Sequence, residues 1–205
     1  MDGGASGVEI RKARPEDAGL VADVLGDAFS DDAMMGWMMG DTRHASAVFK
    51  ELAQRVYLKD GFGHLVGDVA ATLWLPAGVE GHLSFLDELA FAAMAFGRAG
   101  AGALIRLKQV GDVLTANRPR EPHYYLFAVG VRNGAKGKGH GGRVIREGLR
   151  RADAEGALAY LENSKARNTP LYQRLGFEIT GDLPVPEGAP PLLAMLRTPT
   201  REYIA

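Results

Sequence analysis

The sequence predicts an α/β fold, a mixed, mostly antiparallel sheet of about seven strands flanked by helices. The observation behind it is a first half with a hairpin and several helices but no strand-helix-strand repeat, joined to a second half that runs strand, glycine-rich loop, helix, strand. A length of 205 residues with 46% hydrophobic and 24% charged side chains suits one domain over residues 1–205 with a substantial core.

Composition removes several classes of function. The 24 basic and 25 acidic side chains leave a formal charge of -1, so no global field draws the chain to nucleic acid or to an anionic membrane. With Cys 0, disulfides, cysteine zinc sites, iron-sulfur clusters and thiolate nucleophiles are out of reach. His44, His64 and His82 have no metal-ligand spacing and are expected at the surface, so no metal is predicted. Met1–Gly7 is small and polar and reads as a frayed tail, with a cytoplasmic address following. The most apolar stretch, Leu89–Phe96, is shorter than the roughly 20 residues of a membrane helix, so no span is predicted.

The elements follow in order. Val8–Lys12 reads as a short strand, and Pro15 with Glu16 and Asp17 suits a helix start, the ring fixing φ and the acids facing the positive end of the dipole. Leu20, Val21, Val24, Leu25 and Ala28 give that helix one apolar face as far as Phe29. Thr42–Leu58 repeats the pattern with Val48, Phe49, Leu52, Val56 and Tyr57. Between them Asp31–Gly40 holds Trp37 among four methionines, a segment with two readings: core packing, or contact with a substrate. Phe62–Leu65 and Val69–Leu75 form a hairpin around Gly67 and Asp68. Ser84–Gly97 and Ala103–Thr115 are helical, separated by a glycine-rich bend, and Arg118–Pro122 is an extended connector. Tyr124–Val131 is a strand, Gly141–Ala154 a helix, Ala157–Leu161 a strand and Pro170–Arg174 a short helix; Phe177–Gly181 and Leu192–Leu196 close the sheet.

The loop between the Tyr124–Val131 strand and its helix reads Lys136-Gly137-Lys138-Gly139-His140-Gly141-Gly142. Glycines admit a ligand close to the backbone, free N–H groups at a helix start attract anions, and Lys136, Lys138 and Arg143 add charge, so a pyrophosphate fits. An ATPase loop is excluded because His140 follows Gly139 where Lys and Ser or Thr are needed. A dinucleotide fingerprint is met by Gly137, Gly139 and Gly142 with Glu162 further on, but the rest of a parallel nucleotide-binding sheet is missing.

The third reading uses residues further along. Val129-Gly130-Val131 followed by the glycine loop, and then Asn168, Leu171-Tyr172 and Leu175-Gly176-Phe177, resemble in order and spacing the two cofactor motifs of the GCN5-related N-acetyltransferase (GNAT) family. Lys136 stands where the family usually has Gln or Arg, a point charge for a planar fork, and His140 replaces an aliphatic residue. The resemblance is strongest over 118–205, the half expected to bind acetyl-CoA, and Asn117–Pro122 and Asp182–Gly188 are similar to members that acetylate puromycin.

The resemblance implies an acetyl-CoA-dependent N-acetyltransferase acting on a small-molecule amine by direct transfer. The expected topology has the cofactor entering between the Tyr124–Val131 and Ala157–Leu161 strands. Backbone groups of Val129, Gly130 and Val131 would pair with pantetheine, and Lys136, Gly137, Lys138, Gly139, His140, Gly141 and Gly142 would hold the pyrophosphate. Asn168 is a pantetheine contact or a helix N-cap. Tyr172 is the candidate acid for the leaving thiolate, or else a core tyrosine. Glu162 is the first candidate base, with Glu121 and His123 in reserve. A binding module without turnover is the alternative.

Overall fold

A computed structural model describes residues 9–200, so the Met1–Gly7 tail and Val8 lie outside the described residues. The chain runs β1 (Ile10–Lys12), α1 (Ala18–Ala28), α2 (Ala33–Met39), α3 (Ala45–Leu52), β2 (Phe62–Val66), β3 (Ala70–Leu75), α4 (Phe85–Ala116), β4 (His123–Val131), α5 (His140–Ala154), β5 (Leu158–Asn163), α6 (Thr169–Arg174), β6 (Glu178–Asp182) and β7 (Leu193–Arg197). The strands form one seven-stranded sheet in the order β1-β2-β3-β4-β5-β7-β6. Only β4 and β5 pair in parallel; every other neighbour is antiparallel. That arrangement excludes the wholly parallel sheet of a dinucleotide-binding domain.

Alternation along the strands sorts side chains onto two faces. Leu73, Leu75, Tyr125 and Tyr160 join the cluster under α1, α2, α3 and α4, while Trp74, Tyr124, Leu126 and Leu161 join Ile145 and Leu149 of α5 and Tyr172 of α6. α1 begins after a single turn at Pro15–Asp17, where Asp17 accepts from the Arg14 N–H at 2.8 Å. It lies close on β4 because residue 130 is glycine: a Cβ there would stand 2.7 Å from the Ala28 Cβ. The Thr42–Leu58 pattern is one continuous helical path that passes from a 3-10 turn through α3 into a π-helical turn at Ala53–Tyr57.

Two expectations need correction. By length and composition alone α4, 32 residues with a mean hydropathy of 1.3 in its most apolar window, is large enough to cross a membrane, because alanine, leucine and isoleucine carry the apolar character beyond Leu89–Phe96. Its backbone is non-helical at Gly100, φ 74° and ψ -175°, which is the bend anticipated in the glycine-rich stretch. His64 is half-buried in β2 beside the Phe62 ring rather than on the surface, and burial holds its pKa below the ordinary value.

Candidate active site

β4 and β5 are neighbours over three residue pairs only, from His123↔Leu158 to Tyr125↔Tyr160. Beyond Tyr125 no strand pairs with β4 on that side. The cause is local: the β3–β4 register shifts between Leu73 and Trp74, which leaves Phe127 as the extra residue of a bulge. Phe127 and Ala128 in consequence both pack toward the α1–α4 face, and a bulge of this kind bends its strand. The two strands splay, and a cavity of about 590 Å³ opens between them.

One end of the cavity is the glycine loop. Gly137 and Gly139 have φ of 79° and 80°, a left-handed backbone that favours glycine, and neither has an atom within 4 Å of where a Cβ would stand. The loop ends at the N-terminus of α5, 15 residues long, whose first N–H groups have no partner within the helix. The Lys136 ammonium donates to Asn133 Oδ1 at 2.5 Å, and His140 Nδ1 is buried with no hydrogen-bond partner. Open loop backbone, helix N-terminus and an unpartnered ring nitrogen fit a pyrophosphate, and the free side of β4 fits an extended amide-bearing arm such as pantetheine.

The other end holds Glu162. Two-residue alternation along β5 puts Glu162 on the face that carries Tyr160, and Tyr125 of β4 is on the same side. The Tyr125 hydroxyl donates to Glu162 Oε2 at 2.7 Å, whereas Oε1 is buried without a partner. Burial pushes the Glu162 pKa up to about 7, against the opposing pull of the Tyr125 hydrogen bond and the Arg118 charge. The Arg118 guanidinium lies 4.0 Å above the Tyr125 ring, and Tyr57 stacks on Phe127 at 4.2 Å beside it.

Tyr172 approaches from the opposite face. It is buried on α6 edge-on to Phe177, lines the cavity, and burial raises its pKa well above the ordinary tyrosine value. Between the two ends, Asp32 caps α2 by accepting from Met35 N–H at 2.8 Å and accepts from the Ser164 hydroxyl at 2.8 Å. Asp31 bonds to Lys165 and Arg167, which hold its carboxyl well below the usual range. These contacts tie the α1–α2 turn to the β5–α6 turn across the cleft.

Of the residues singled out in the sequence, Val129, Gly130, Val131, Lys136, Gly137, Gly139, His140, Gly141, Gly142, Glu162, Asn168 and Tyr172 all line this cavity. Lys138 does not; it is exposed on the loop. Asn168 occupies the N-cap position of α6 but its side chain makes no capping bond, while Asn163 Nδ2 donates to the Thr169 hydroxyl. Glu121 and His123 are outside the lining, with the His123 ring against Tyr160 and its Nδ1 on the Glu121 carbonyl. In the methionine segment Met34 and Met35 are buried in the core, and with Met38 they also line the cavity. Arg118, Tyr125, Asp32 and Lys165 were not legible as site residues, since each acts through a partner distant in sequence.

A splayed parallel pair, a glycine loop at a helix start and an isolated carboxylate define an acyl-coenzyme A-dependent transferase architecture. Residues 27–177 match the Acetyltransferase (GNAT) family, and the chain belongs to it. Acetyl-CoA-dependent acetyl transfer is that family's chemistry. The chain is 26% identical over 183 residues to an uncharacterized N-acetyltransferase of Schizosaccharomyces pombe, covering 82% of this chain and 73% of the relative. It is similar to a solved structure from Corynebacterium glutamicum described as histone acetyltransferase HPA2 and related acetyltransferase, with TM-score 0.69, 26% identity and 93% and 96% of the two chains covered. A Drosophila melanogaster polyamine N-acetyltransferase that forms N-acetylagmatine shares the fold, with TM-score 0.63, 16% identity and 93% and 99% covered.

Proposed function

We propose that the protein is an N-acetyltransferase that moves an acetyl group from acetyl-CoA to the primary amine of a small molecule by direct attack, with no acetyl-enzyme. The observation that carries the reading is Glu162: a carboxylate at the splay of β4 and β5, its Oε1 free of partners and its pKa pushed up to about 7 by burial. Such a group is ionised for a useful fraction of the time near neutral pH and is basic enough to take a proton. Acetyl-CoA, when bound, supplies an activated thioester whose acyl carbon accepts the amine nitrogen.

The residues divide the work. The loop from Lys136 to Gly142 and the α5 N-terminus hold the pyrophosphate, while Val129, Val131 and Asn168 line the path of the arm. Glu162 Oε1 takes the amine's proton, directly or through a water, as the carbon-nitrogen bond forms. The Tyr172 hydroxyl gives its proton to the departing sulfur as the carbon-sulfur bond breaks, and burial keeps that hydroxyl protonated until then. Glu162 then releases the proton it took to solvent, and Tyr172 regains one from it. The similarity of Asn117–Pro122 and Asp182–Gly188 to puromycin-acetylating members supports an aminonucleoside or antibiotic-like acceptor.

Release of free thiol from acetyl-CoA, followed with puromycin, aminoglycosides, polyamines, amino acids and short peptides, tests the reading. Amine-dependent thiol release with an acetylated small molecule is expected. Acetylation of peptides alone overturns the small-molecule claim, and cofactor binding without release for any acceptor makes the protein a binding module.

A further inference from the structure

Resting on that reading, the lining of the cavity narrows the acceptor. The walls contributed by α2, α3, α4 and β4 are apolar: Met34, Met38, Phe49, Leu114 and Phe127. Methionine and aromatic side chains of this kind accept a flat or flexible hydrocarbon body and offer a second charge no carboxylate.

The acids in the lining are Asp32 and Glu162. Asp32 is 2% exposed and both of its oxygens are engaged, Oδ1 by Met35 N–H and Oδ2 by the Ser164 hydroxyl, with Lys165 Nζ at 3.9 Å. Only Glu162 keeps an oxygen without a partner. The remaining charges in the lining are the cations Lys136, Lys165, Arg167 and Arg174, of which Lys165 and Arg167 are paired with Asp31. Behind Glu162, the Arg118 guanidinium over the Tyr125 ring adds a further positive charge.

We infer that the acceptor is a primary monoamine on an apolar or aromatic body, with Glu162 as the sole acid among the described residues available to its nitrogen, and that amines carrying a second cation are poor acceptors. A diamine or guanidinoalkylamine would have to bury its far cation among methionines or near Arg118 with no carboxylate to meet it, and an unpaired buried charge is strongly disfavoured. The same aromatic and methionine walls reward hydrocarbon, each buried methylene adding roughly fourfold in affinity.

The test is a comparison of kcat/KM with acetyl-CoA for 2-phenylethylamine and hexylamine against putrescine, agmatine and spermidine. The two monoamines should exceed the polycations by roughly thirtyfold or more, the scale on which a pocket discriminates when one substrate leaves a charge unpaired. A Met38→Glu variant adds an acid at a half-buried wall position, and it should narrow the ratio of 2-phenylethylamine to agmatine by about tenfold. Leu114→Asp, also half-buried, serves where Met38→Glu does not fold. Agmatine or spermidine used as well as the monoamines overturns the inference and leaves acetyl transfer standing. No acetylation of any amine, with acetyl-CoA still bound in calorimetry, sinks both.

Discussion

The Tyr125 hydroxyl donates to Glu162 Oε2 at 2.7 Å while Oε1 of the same carboxylate has no partner, so one oxygen is anchored and the other is not. The groups facing Glu162 are Tyr125, Arg118 and Tyr160, each of which favours its ionised form, and Tyr57. Burial outweighs these and leaves the group titrating at about 7.

A base must be unprotonated to act, so kcat/KM should rise with pH through about 7 and level off above it. Tyr125→Phe removes a hydrogen bond that favours the carboxylate, and Arg118→Gln removes a favourable charge. Each should therefore move that limb toward alkaline pH, by about one unit. Glu162→Gln should lower turnover roughly 10²-fold or more and abolish the limb. A limb that stays in place in both positioning variants assigns it to another group.

The same carboxylate makes folding depend on pH. Its folded pKa is raised above the ordinary glutamate value of 4.5, so between there and about 7 the folded protein holds more protons than the unfolded chain. Stability contributed by this group is therefore present at low pH and lost as pH rises through that window, by at most about 3 kcal/mol, less what water in the cleft screens. Glu162→Gln should unfold at a higher temperature than the parent at pH 8 and at nearly the same temperature at pH 4.5. Thermal unfolding at the two pH values measures this directly.

Tyr172→Phe keeps the ring against Phe177 and removes only the hydroxyl, so stability and cofactor affinity should change little. Turnover should fall by roughly 10². The loss should shrink with a thioester whose thiol is more acidic, because that leaving group needs less protonation. Single-turnover rates within about twofold of the parent would make Tyr172 a packing residue.

Gly148→Ala tests how α5 is seated. A Cβ at 148 would stand 2.4 Å from Trp74 Cε2, and Trp74 is fully buried at 0% exposure. Neither the ring nor the helix can yield without disturbing the glycine loop that α5 carries. Denaturant unfolding should show a loss of about 1–3 kcal/mol, the usual cost of overpacking, together with weaker acetyl-CoA binding.

The α/β class, the hairpin, the glycine loop and the order of its strand and helix were all legible because each is set by neighbours in sequence. Two-residue alternation, helical spacing and a run of glycines need no knowledge of the remainder of the chain. The parallel β4–β5 pairing rested on resemblance to family motifs, since nothing in strand composition tells parallel from antiparallel at this length. Lys138 shows the limit of spacing: it alternates with glycines like Lys136, yet the positive φ of Gly137 and Gly139 turns it out of the lining.

By itself, then, the sequence determined the elements, the absence of cysteine chemistry, the glycine loop at a helix start and the candidacy of Glu162 and Tyr172. Tertiary structure decided what those residues can do. The bulge at Phe127 opened the cleft, Arg118 came onto Tyr125 from an extended connector, and Asp32 was bonded to Ser164 across 132 positions of chain. The reason is that a carboxylate's basicity depends on its solvation and on charges within a few ångströms. Those neighbours are assembled only when distant segments pack.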